Sequence, residues 1–126
     1  MKKIYLSLII ATAVCFTACE ENTCVNDMIG DYSATTVYSG QTIEYSLGVT
    51  RSGGDADVTF NFSGILLEAF VDNNCNILIE NQDITFAGVP SVFSGSGSYS
   101  NDVISLTITD SVYGQSYTDV YTFNKN

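Results

Sequence analysis

The chain predicts an all-β fold, an antiparallel up-and-down β-barrel of about eight strands set behind a cleavable leader. Three observations predict it. Apolar and polar residues alternate with a period of two from Ile29 onward. Turn-forming residues punctuate that alternation at short intervals. Thr, Val, Ile, Tyr and Phe dominate the runs, while long charged helix formers are scarce.

The expected strands are 31–38, 41–50, 56–62, 65–71, 76–87 with a break near Asn81, 92–99, 103–109 and 117–123. The clearest alternation sets Ile43, Tyr45, Leu47 and Val49 against Thr42, Glu44, Ser46 and Gly48. Val58, Phe60 and Phe62 repeat the pattern, as do Ile104, Leu106 and Ile108. Each such strand buries one face and wets the other. Ser39-Gly40 suits a tight hairpin and Arg51-Ser52-Gly53-Gly54-Asp55 a longer one. Ser63-Gly64, Asp72-Asn73-Asn74, Gly88-Val89-Pro90, Asn101-Asp102 and Tyr113-Gly114-Gln115 supply the other turns.

Ser94-Gly95-Ser96-Gly97-Ser98 has linker composition. A linker inside so small a domain is out of place, so the run reads as a strand that its glycines allow to bend. Eight strands on short turns form a meander, and closing it removes the exposed edges of a lone sheet. The same spacing suits a β-sandwich, the alternative fold. The buried Trp and inter-sheet cysteine pair of immunoglobulin domains are missing.

The leader runs from Lys2 and Lys3 through the apolar stretch Ile4 to Phe16 and ends in the small residues Thr17 and Ala18. That pattern is a secretory signal. Its apolar stretch, about thirteen residues, falls short of the roughly 20 that span a bilayer. Phe16-Thr17-Ala18-Cys19 resembles the lipobox of bacterial lipoproteins, with Phe16 where leucine is usual. The resemblance implies cleavage before Cys19 and a diacylglyceryl group on its thiol, hence a membrane partner through the anchor. The expected layout is a signal peptide (1–18), the lipidated Cys19 with a polar tether (19–27), and a barrel domain (28–126). Fully extended, residues 20–27 span about 27 Å. Glu20 and Glu21 look like the surface-export signals of some Gram-negative lipoproteins. The expected location is the cell envelope, on an outer-membrane lipoprotein facing the periplasm or the surface.

Removing the leader from the 126 residues leaves enough chain for one core and not for two. It also removes two of the four basic residues, so the mature domain is more negative than the −10 of the full chain. Only Arg51 and Lys125 remain to meet phosphates, which excludes nucleic acid as a partner. Cys15 departs with the leader and Cys19 takes the lipid. Cys24 and Cys75 remain, in a compartment that permits disulfides. Bridging them closes a loop of roughly 50 residues and stabilises by about 4 kcal/mol on the chain-entropy model.

Ile29-Gly30-Asp31-Tyr32, the stretch from Ser94 to Ile108, and Tyr117-Thr118-Asp119-Val120-Tyr121-Thr122-Phe123 resemble calycin-like β-barrel lipoproteins over residues 28–126. The resemblance implies a lipocalin-like up-and-down barrel of undefined function. Tyr32 stands where lipocalins usually carry Trp.

Catalysis has no foothold. The chain has no His, so a triad base and an ordinary zinc site are both missing, and no spacing singles out a carboxylate pair. No cofactor or metal is expected. Asp55, Asp57 and Asp72-Asn73-Asn74 offer oxygens without approaching an EF-hand and read as solvated turn acids. Asn61-Phe62-Ser63 matches a sequon in mid-strand. Asp110-Ser111-Val112 resembles the O-glycosylation site of some bacterial surface proteins, making Ser111 a candidate acceptor. Tyr32, Tyr38, Tyr45, Phe60, Phe62, Phe86, Tyr117, Tyr121 and Phe123 fall in expected strands. Pointing inward they fill an eight-stranded barrel, which leaves loops or outer surface for function. The expected role is therefore non-enzymatic: a lipid-anchored binding or interaction domain for a protein or glycan. The alternative is a lipocalin-like carrier of a small apolar ligand inside the barrel.

Overall fold

The structure is a computed structural model that describes residues 22–126, the side chain of Tyr38 excepted. A short helix, α1 (Thr23–Met28), leads into eight strands: β1 (Gly30–Tyr38), β2 (Gln41–Arg51), β3 (Val58–Phe62), β4 (Ile65–Val71), β5 (Asn76–Phe86), β6 (Val89–Ser100), β7 (Val103–Val112) and β8 (Gln115–Lys125). Each strand pairs antiparallel with the next, and β8 returns to β1 to close an up-and-down barrel. That closure removes the sandwich alternative.

The turns explain why the meander holds its register. At Ser39–Gly40, Ser63–Gly64, Ala87–Gly88, Asn101–Asp102 and Tyr113–Gly114, both central residues have positive φ. This is the type I′ geometry, whose twist matches the strands it joins. A two-residue turn leaves no slack for a register slip, so the apolar rows stay inward.

The expected strands are all present, with ends moved by up to three residues. One three-residue change is at Gly88-Val89-Pro90. The turn sits on Ala87–Gly88, and Pro90 lies within β6 opposite Thr85. β7 and β8 also run on to Val112 and back from Gln115.

The Gly/Ser run belongs to β6, and its glycines answer a close approach by β7. A Cβ on Gly97 would stand 1.9 Å from the carbonyl oxygen of Ser105, and one on Gly95 would stand 2.6 Å from that of Thr107. Neither backbone can yield without breaking the β6–β7 ladder.

One end of the barrel is sealed. Helix α1 drives Cys24, Val25 and Met28 into the core formed by Tyr32, Leu47, Val49, Val58, Phe60, Leu67, Ile104 and Phe123. The polar tether expected through residue 27 therefore ends sooner: from Thr23 the chain is helical and part of the domain. A six-residue helix has no stability of its own, and four attachments hold it. Asn22 caps its start, accepting from the Cys24 amide at 3.0 Å and donating to the Val71 carbonyl at 2.8 Å. A Cys24–Cys75 disulfide ties it to the β4–β5 turn, with the Cα atoms 5.4 Å apart. The Tyr32 hydroxyl donates to the Met28 carbonyl at 2.8 Å. Lys125 Nζ donates to the Asp27 carbonyl at 3.0 Å, beside the Tyr99 hydroxyl at 3.3 Å. These donors satisfy carbonyls that a helix end leaves without an internal partner.

The other end is not sealed, because two seams of the barrel part. β1 meets β8 only at Tyr32↔Lys125 and Ser33↔Asn124. β4 meets β5 only at Phe70↔Leu78 and Val71↔Ile77. Both stretches lie at the α1 end. Beyond them β5 bulges between Ile79 and Gln82, close to the expected break at Asn81. The Gln82 side chain then bridges to β4, its Oε1 accepting from the Glu68 amide at 2.9 Å and its Nε2 donating to the Glu68 carbonyl at 2.6 Å. A side-chain amide thus replaces one rung of backbone ladder.

Candidate functional site: the open end of the barrel

Following one inward row toward the open end shows how the site arises. On β8, Phe123 is fully buried, Tyr121 half-buried, and Asp119, Tyr117 and Gln115 exposed. On β2, Val49 and Leu47 are buried, Tyr45 half-buried and Ile43 exposed. On β5, Ile79 is buried, Ile84 half-buried and Phe86 exposed. The period of two continues along β2 and β8 and resumes one residue out of phase beyond the β5 bulge, but with the seams parted the inward face meets solvent.

At the level where burial gives way, four rings form a floor. Tyr45 and Phe62 lie near-parallel with centroids 6.1 Å apart, and Tyr121 meets both edge-on at 5.4 and 5.0 Å. Phe123 supports the group from below, 5.7 Å from Tyr121 and 5.8 Å from Phe62. Such offset and edge-to-face pairs are the favoured aromatic geometries, each contributing about 1 kcal/mol beyond burial.

Two acids stand in the same inward rows. Asp119 is in register with Ile108 on β7, and Asp110 with Tyr117 on β8. Their effect is visible at Tyr121. Its phenol is pushed up to about 12, first by burial, then by the charges of Asp119, the Tyr45 phenol and Asp110, and by hydrogen bonding to Asp119. No Lys or Arg occurs between Arg51 and Lys125, and both lie toward the α1 end, where Arg51 hydrogen-bonds Asn26. The open end thus offers aromatic faces and carboxylate acceptors, with Tyr117 and Phe86 at its rim.

The sequence-predicted residues are scattered relative to this end. Cys19 and the leader lie outside the described residues. Cys24 and Cys75 are at the sealed end, as the disulfide above. Ser111 is on β7, with its hydroxyl 2.8 Å from that of Ser116, paired across the ladder with Val92 and Ser116. Asn61 accepts from the Gly64 amide at 2.9 Å and so shapes the β3–β4 hairpin.

Two of the loop acids, Asp57 and Asp72, do structural work. Asp57 accepts from the Val71 amide at 2.8 Å. Asp72 accepts from the backbone and side chain of Asn76 and from the Asn74 backbone, which together hold its carboxyl below the usual range. Among the described residues no three His, Cys, Asp or Glu side chains are grouped to hold a metal ion.

Asp110 and Asp119 entered the sequence reading only as parts of a glycosylation motif and of the closing strand, although a signal for a site was present. Asp110 follows Ile104, Leu106 and Ile108 in strict phase, and Asp119 sits in phase between Tyr117 and Tyr121. An acid on an apolar row marks where the core stops or a polar site begins.

Set against protein-family models, curated proteins and solved structures, the chain matches none. The eight-stranded closed barrel is consistent with a lipocalin-like architecture.

Proposed function

We propose that this protein is a non-enzymatic binding module of a bacterial cell envelope that receives its partner at the open end of the barrel. The observation that carries this reading is the ring floor of Tyr45, Phe62 and Tyr121 with Asp110 and Asp119 beside it, at the end where two seams part. Tyr45 and Tyr121 keep part of their ring surface open to solvent beside carboxylate acceptors, the combination of groups that binding sites concentrate.

The anchor supports the same orientation. With helix α1 beginning at Thr23, only residues 20–22 separate it from a lipidated Cys19, about 10 Å of extended chain. The sealed end then rests near the bilayer and the open end points away from it. Membership in the calycin-like lipoproteins fits this arrangement through the barrel and the motifs quoted above. The carrier alternative is less well served. An apolar ligand deep in the barrel would compete for space with Tyr32, Phe60, Phe123 and Met28, all fully buried.

Photo-crosslinking in the native host tests the reading. A photoreactive residue is placed at Tyr117, at Phe86, or at Asn101 on the sealed end. Adducts at the first two positions and none at the third are expected. Adducts confined to Asn101, or none anywhere, overturn the proposal. In the same cells Cys19→Ala abolishes incorporation of labelled palmitate if the anchor is as described.

A further inference from the structure

The bulged β4–β5 seam leaves a second concavity on the outer wall, remote from the open end's ring floor. It has a volume of about 460 Å³ and is lined by Asp55, Glu68, Phe70, Glu80, Asn81 and Gln82, with Gly54 and Ala56 at its edge. This lies in the range of roughly 300–1,000 Å³ typical of small-molecule sites. From this lining we infer that the groove binds a neutral sugar, one or two rings of a glycan.

The donor set makes the argument. Phe70 points outward from β4, more than a third exposed, beside the half-exposed Leu78 opposite it. An exposed ring lining a groove is the partner that the C–H face of a pyranose stacks on. Glu68 already shows how the groove meets hydroxyls, for its carboxylate takes the Thr59 hydroxyl at 2.9 Å on one oxygen and the Ser52 hydroxyl on the other. The side chains of Asp55, Glu80 and Asn81 make no hydrogen bond among the described residues and remain available. Asp55 and Glu80 supply acceptors for sugar hydroxyls, and the Asn81 amide both donates and accepts.

The floor is held in place. The Gln82 amide is clamped on both backbone groups of Glu68 and donates to the Glu80 carbonyl at 3.2 Å. A site fixed before the ligand arrives loses less freedom on binding.

The test uses the full lipidated chain in detergent micelles, applied to immobilised neutral oligosaccharides: glucans, mannans, xylans and N-acetylglucosamine oligomers. Retention on at least one is expected, weakened at least tenfold by Phe70→Ala and by Asn81→Ala and unchanged by Thr35→Ala on the opposite wall. Because the ligand is uncharged, 1 M NaCl should alter the affinity less than about twofold, since salt screens charge interactions only. Circular dichroism melting checks folding of each variant, and Phe70→Leu, which keeps bulk and loses the π-face, stands in if Phe70→Ala does not fold. Failure of every oligosaccharide to bind overturns the inference. So does binding that survives both groove substitutions, or binding abolished by salt and displaced by spermidine, which would make the groove a cation site.

Discussion

The two ends of this barrel are built from the same alternation and reach opposite results. At the sealed end the inward rows of all eight strands converge, α1 covers them, and Tyr32, Phe60, Phe123 and Met28 are fully buried. At the open end the same rows continue through Tyr45, Tyr117, Tyr121 and Phe86, yet these side chains meet solvent. What differs is closure. A backbone ladder across all strands makes a core, and a barrel whose β1–β8 and β4–β5 seams part makes a surface with core-like composition. Inward direction and burial are therefore separate properties.

Removing one aromatic from each end should separate the two most widely. Phe60→Ala deletes a fully buried ring and should cost about 3–5 kcal/mol. Tyr117→Ala should stay within about 0.5 kcal/mol, because that side chain is more than half exposed. Urea denaturation of both variants measures the gap. Equal losses would mean that the open end is a second core.

Next in size is the plug. Replacing both Cys24 and Cys75 by Ser should cost about 2–4 kcal/mol. Hydrogen exchange should then show Val25 to Met28 losing protection before the strands do, since a helix this short depends on its attachments. Protection lost uniformly along the chain would make α1 an integral part of the barrel rather than a stopper.

The smallest effect is on proton binding. Tyr121 is pushed up to about 12 in the folded state, against about 10 for an ordinary phenol. Below pH 10 the group is neutral in folded and unfolded chains alike, and its contribution to stability is fully present. Above that the unfolded chain releases the proton first, so this contribution is lost as pH rises from about 10 towards 12. Absorbance at 295 nm should show a phenol ionising near pH 12 that disappears in Tyr121→Phe. Asp119→Asn should lower its midpoint, because a nearby negative charge opposes a second one. A midpoint unmoved by Asp119→Asn would separate the acid from the ring floor.

Much of the fold was legible in particular residues. Ile43-Glu44-Tyr45-Ser46-Leu47 announces a strand, and Ser39-Gly40 and Tyr113-Gly114 announce its kind of turn. Glycines 95 and 97 marked a special place in a strand, although the reason, the carbonyls of Ser105 and Thr107, is a contact with another strand. Helix α1 left no trace because Thr-Cys-Val-Asn-Asp-Met is too short to display a period and has no propensity to speak of. Tertiary partners, Cys75, Val71, Tyr32 and Lys125, make it a helix. The open end was half legible: acids on an apolar row could be seen in phase, but not that they would gather around one ring cluster.

The order of side chains alone gave the number of strands, most of the turns, the inward rows of β2, β3 and β7, and the two cysteines that could meet. Those are local properties, set by side-chain period and backbone sterics. Only the tertiary structure decided where the ladder would hold and where it would part. Closing a barrel is a global condition on eight strands together, and the parting of the β1–β8 and β4–β5 seams divides a core from a mouth.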